Sequence, residues 1–102
     1  MALYNPPQVI SSIQSNTSSP TSITGSTTSQ TLIAANTSRK GATIWNESAF
    51  NMYIEFGAVA SLTAFTVKLL PSGYYEVPFN YAGVLACIWD GVNGNALVRE
   101  LT

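Results

Sequence analysis

The side chains able to do acid–base chemistry in this 102-residue chain are few and scattered. Arg39, Lys40, Lys68 and Arg99 are the cations, Glu47, Glu55, Glu76, Asp90 and Glu100 the anions, and there is no histidine. Proton-transfer catalysis needs a group whose pKa can be tuned and a partner within hydrogen-bond reach. Without histidine, a metal site built from nitrogen and sulfur ligands is reduced to Cys87, where zinc would take about four ligands. Cys87 lies in the apolar run Val84-Leu85-Ala86-Cys87-Ile88-Trp89 and reads as a small buried hydrophobe rather than a nucleophile. No two carboxylates are close in sequence. A pair assembled by the fold, such as Glu55 with Glu76, is the remaining route to general acid–base chemistry, set against the simpler reading of solvated positions on neighbouring strands. The expectation is a protein that is not an enzyme and holds no cofactor or metal.

Three features could bind rather than react. Gly91-Val92-Asn93-Gly94 has the glycines of a phosphate loop but lacks the following Lys-Ser/Thr and helix, so a turn accounts for it better. Trp45, Trp89, Tyr74 and Tyr75 fit either core and interface packing or a sugar-stacking platform. The segment Asn36-Thr37-Ser38-Arg39-Lys40-Gly41 is either a solvated loop or a place where the planar fork of Arg39 holds a carboxylate or carbonyls across a subunit boundary. Asn-x-Ser/Thr triplets at Asn16, Asn36 and Asn46 are attributed to chance in a chain this rich in those residues.

Charged residues make up 9% of the chain and apolar ones 46%, against about 25% charged in a typical soluble domain. Ser, Thr, Asn and Gln, 34 residues in all, take the place of the missing charge. A free monomer normally keeps itself soluble with interspersed charges; a surface this neutral suits a subunit covered by neighbours. Arg39-Lys40 is the one adjacent basic pair, too little to neutralise many phosphates, so nucleic acid is not an expected partner. No apolar run approaches the roughly 20 residues of a membrane span. The start of the chain, Met1 to Pro7, lacks the basic and apolar regions of a signal peptide, which points to synthesis in a cytoplasm.

The elements that would position these residues are short strands. From Ser11 to Thr31, 14 of 21 residues are Ser or Thr, and Pro6-Pro7 and Pro20 exclude a helix. Residues 1–22 therefore read as an extended arm, with Leu3, Tyr4, Val9, Ile10 and Ile13 as its apolar contacts, ready to pair along another sheet edge. Residues 23–102 read as one domain. Strands are expected over Ser29–Ala35, with Leu32 and Ala34 on one face, and over Ala42–Asn46. Met52–Phe56 should follow, with Met52, Ile54 and Phe56 inward and Tyr53 and Glu55 outward, then Phe65–Leu69 and Tyr74–Val77 joined by Pro71-Ser72-Gly73. Val84–Trp89, apolar on both faces, should be central, and Asn93-Gly94 should make a hairpin turn into Ala96–Leu101. Seven strands without a helical period describe an all-β fold, a single small antiparallel β-sandwich or jelly-roll-like barrel with an extended N-terminal arm.

The stretch Leu32-Ile33-Ala34-Ala35-Asn36-Thr37-Ser38-Arg39-Lys40-Gly41, leading into Ala42-Thr43-Ile44-Trp45-Asn46, resembles a pattern found in small structural proteins of tailed bacteriophages. Tyr74-Tyr75-Glu76-Val77-Pro78-Phe79, Tyr81-Ala82-Gly83-Val84, Ala86-Cys87-Ile88-Trp89 and Leu97-Val98-Arg99-Glu100-Leu101 are similar to that family as well, so the resemblance spans about residues 29–101. It implies a virion component, foremost a head decoration (cement) protein, with a receptor- or glycan-binding module of a tail fibre or baseplate as the alternative. It further implies a homo-oligomer, a trimer in the first instance, that lashes onto the major capsid protein or another virion protein through its arm. Asn36 and Arg39 join the arm residues as expected assembly contacts.

Overall fold

The computed structural model describes residues 14–77 and 81–102. Among the described residues, eight strands form two four-stranded sheets, and every strand pair is antiparallel. The front sheet, in the order β1-β8-β3-β6, contains Ser18–Thr24, Asn95–Leu101, Gly41–Glu47 and Tyr74–Glu76. The back sheet, in the order β2-β7-β4-β5, contains Gln30–Ile33, Leu85–Trp89, Met52–Glu55 and Val67–Leu69. Apart from the β4–β5 pair, each strand is followed by one in the opposite sheet, which is the winding of a jelly roll.

Strand alternation builds the core. On β3, Ala42, Ile44 and Asn46 face inward while Thr43, Trp45 and Glu47 face out; on β8, Ala96 and Val98 face inward while Leu97 and Arg99 face out. Met52, Ile54, Leu85, Cys87 and Trp89 close the core from the back sheet. β7 is buried along its whole length, as its two-sided apolar sequence predicts for a central strand. Its outer face is covered by residues 57–65, with Tyr53, Ala60, Ala86 and Ile88 forming a second, smaller cluster. Tyr53 thus points outward, as its place in the alternation requires, yet is buried beneath this cover, with its ring edge-on to Phe65 at 4.8 Å between centroids.

Several local expectations are corrected. β1 is a strand the apolar pattern does not reveal: its side chains are exposed except at Ile23, and backbone pairing with β8 holds it. It starts at Ser18 and runs through the expected boundary at residue 22, so part of the segment read as an arm belongs to the front sheet. The Thr17 carbonyl accepts from the Thr102 amide, and the Gly25 amide donates to the Gly94 carbonyl. Strand alternation between these ends turns Pro20 toward the free edge, where its missing N–H breaks no ladder bond and discourages a further strand.

β2 is shorter than expected. A register shift between Thr31 and Ile33 buries Leu32 and Ile33 together and leaves Ala34 exposed. Asn93-Gly94 does not close a hairpin, because β7 and β8 lie in different sheets. Gly94 does take φ +60°, and a Cβ there would sit 2.1 Å from the Glu47 carbonyl oxygen. In the crossing from β5 to β6 the left-handed residue is Ser72, φ 62°, rather than the neighbouring glycine.

Ile44 is fully buried and Val92 is 68% exposed. Ile44→Ala is expected to lower the unfolding free energy by about 2–5 kcal/mol in urea titrations, and Val92→Ala to change it by less than about 0.5 kcal/mol.

Candidate functional site

The outer face of the front sheet sets several aromatic, polar and charged side chains in rows. Cross-strand register places Ser22, Leu97, Trp45 and Tyr74 side by side. One step toward the β3 C-terminus lie Thr24, Asn95 and Glu47; one step the other way lie Arg99, Thr43 and Glu76. The result is an apolar ribbon one residue wide between two polar rows, each about 7 Å away.

Both rings of the ribbon are held from the flanking rows. The indole Nε1 of Trp45 donates to Glu47 Oε2 at 3.0 Å, and the Tyr74 hydroxyl donates to Glu76 Oε1 at 3.0 Å. The hydrogen bond to Glu76 is the main cause that holds the Tyr74 phenol above its ordinary pKa. Trp45 is 36% and Tyr74 53% exposed, so a ligand can reach both rings. Of the four aromatic residues weighed as a platform, only these two qualify. Trp89 is wholly buried, and Tyr75 faces inward and packs beside Phe56.

Arg39 is placed otherwise than expected of an assembly contact. It is 1% exposed. Its Nε donates to Glu100 Oε2 at 2.8 Å, Nη1 donates to the carbonyls of Tyr81 (2.9 Å) and Gly83 (2.8 Å), and Nη2 donates to the Ala34 carbonyl. The fork does hold a carboxylate and carbonyls, but these belong to its own chain, where they tie the β2–β3 loop to β8 and to the approach to β7. Asn36 shapes that loop: its Oδ1 accepts from the Ser38 amide, its carbonyl from the Arg39 amide, and its own amide donates to the Ala82 carbonyl. Leu3, Tyr4, Val9, Ile10 and Ile13 lie outside the described residues.

Asn46 is a second polar anchor that the sequence reading missed, since an asparagine in an Asn-x-Ser triplet looks like a surface residue. It is wholly buried. Nδ2 donates to the carbonyls of Phe50 (2.8 Å) and Leu69 (2.9 Å), and Oδ1 accepts from Trp89 Nε1 (3.1 Å) and Ser48 Oγ (2.7 Å). Its position was legible: on β3 the alternation that buries Ala42 and Ile44 buries residue 46 too.

The groups weighed for catalysis are kept apart. Glu55 faces out from the back sheet and accepts from the Phe56 amide, while Glu76 faces out from the front sheet, so the sandwich stands between them. Burial pushes the Cys87 thiol up to about 12. Among the described residues no three metal-ligating side chains come together. No family model, curated protein or solved structure matches the chain.

Two expectations follow. Arg39→Ala is expected to cost about 3 kcal/mol in urea unfolding by stranding Glu100 and the carbonyls, with Arg39→Lys recovering little because an ammonium cannot span the same acceptors; a change in solution mass with unchanged stability would contradict the intrachain role. Cys87, buried and with its thiol held well above the usual range by burial, is expected to react with a thiol reagent only on unfolding. Because its folded pKa is raised, the stability it contributes is intact below the unfolded value and is lost as pH climbs toward about 12.

Proposed function

We propose that this protein is a virion structural subunit, most specifically a decoration protein of a bacteriophage head, acting as a homo-oligomer bound to capsid protein. The observation that carries the reading is a surface that exposes large apolar side chains with little charge to offset them. Phe50, Leu70 and Val92 are exposed in the segments following β3, β5 and β7, and Val59, Leu62 and Phe65 on the cover over the back sheet. The cover, from Phe56 to Val67, contains no charged residue at all. Such a surface gains free energy when neighbours remove it from water.

The fold is compatible with the role but does not specify it, since jelly rolls serve capsids and lectins alike. The sequence resemblance to small tailed-phage structural proteins supplies the particular setting. In this reading the N-terminal segment preceding β1 fastens the subunit to the capsid. The sandwich, whose eight strands among the described residues all lie after residue 13, is displayed on the head.

Removing residues 2–13 is expected to leave the thermal unfolding transition in place and to abolish binding to phage heads stripped of decoration, measured by co-sedimentation. Full occupancy by the truncated chain would overturn the reading.

A further inference from the structure

The ribbon on the front sheet asks for a ligand of its own. Its exposed apolar part is small, Leu97, Trp45 and Tyr74 in single file. A stable protein–protein interface buries about 800 Å² per partner around an apolar core, and three side chains bounded on both sides by polar rows do not make such a core. Single-stranded nucleic acid also stacks on aromatic rings, but it needs a basic groove along its phosphates. Here the side chains nearest the rings are carboxylates, Glu47 and Glu76, each already bonded to a ring. Among the described residues neither carboxylate is in an ion pair, so an anionic chain would meet their charge directly.

We propose that this face binds a neutral oligosaccharide, laid along the ribbon with the C–H faces of its sugar rings on Trp45 and Tyr74. An aromatic face offers a sugar a flat apolar surface, and hydroxyls need both donors and acceptors beside it. The flanking rows provide both. The Asn95 amide, which already donates to Ser22 Oγ, and the Arg99 guanidinium, which already donates to the Val98 carbonyl, each keep further N–H groups to donate. The Glu47 and Glu76 carboxylates accept on the lone pairs their own hydrogen bonds leave free. Glu47 and Glu76 also fix the ring orientations before the ligand arrives, so less side-chain freedom is lost on binding. The strands lend a rigid base, because β3 and β8 pair over seven residues. The proposal goes beyond the decoration role, since it gives this face a ligand of its own through residues that are all on β3, β6 and β8.

The full-length chain, fluorescently labelled, is applied to an array of neutral, sialylated and sulfated glycans, and the strongest neutral oligosaccharide is then titrated by calorimetry. Saturable binding to neutral oligosaccharides is expected, weakened at least tenfold by Trp45→Ala and by Tyr74→Ala, and unchanged by Leu62→Ser on the back-sheet cover. Buried Trp89 reports by its fluorescence that each variant is folded, and the second ribbon variant decides the matter if the first does not fold. Silence across the array, binding confined to the anionic glycans, or undiminished binding by the folded ribbon variants would overturn the proposal. Because the measurement uses the free chain, it stands or falls separately from capsid binding.

Discussion

The amide of Asn46 holds the two sheets in register. Apolar packing is non-directional, and sheets in contact only through Ile44, Ile54, Leu85 and Val98 could slide with little change in buried area. Asn46 removes that freedom by donating from the front sheet to the Leu69 carbonyl at the end of β5 while accepting from the Trp89 indole on β7. A misplaced register would leave the amide or the indole buried without a partner, at a cost of about 1–3 kcal/mol each. Arg39 does the same near the other end of β3, where its guanidinium joins Glu100 and the backbone on either side of the core. Among the described residues these are the two buried polar side chains, and no buried side-chain nitrogen or oxygen lacks a partner.

With both ends of β3 pinned in this way, the faces turned to solvent are free to vary, and the chain uses them differently. The back sheet buries its outer face under an uncharged cover, so β7 is dry on both sides, with Cys87 sealed on its inner face between the sheets. The front sheet carries on its outer face, which no element of the described residues covers, a narrow line of apolar side chains between hydrogen-bonding ones. One edge of the front sheet is β1, a strand that contributes backbone pairing and almost no side-chain burial. Strands of this kind open at lower free energy than the core, and the proline at its free edge limits what else can pair there.

Charge poverty connects these features. With five acidic and four basic side chains in 102 residues, the described residues hold one ion pair between side chains, Arg39–Glu100, and it is spent inside the structure. The polar character of the surface then rests mainly on hydroxyls and amides, the 34 Ser, Thr, Asn and Gln side chains of the chain. Among the described residues the groups whose pKa is displaced, Cys87, Tyr74 and Tyr75, all move away from neutral pH.

The sequence by itself determined the all-β class, the inward and outward sets of β3, β4 and β8, and the two-sided burial of β7, because those strands are stabilised by side chains whose polarity alternates visibly. It did not disclose β1, since a strand held by backbone hydrogen bonds along an edge needs no apolar period. Nor did it disclose the short, bulged β2, whose register depends on β7. Which partner Arg39 would find was decided only by the tertiary structure: a guanidinium in a loop looks the same whether its acceptors lie on a neighbouring molecule or 61 residues further along the same chain. The same holds for the ribbon. Trp45, Tyr74 and Leu97 are distant in sequence, and strand pairing alone sets them side by side on one face while sending Trp89 and Tyr75 inward.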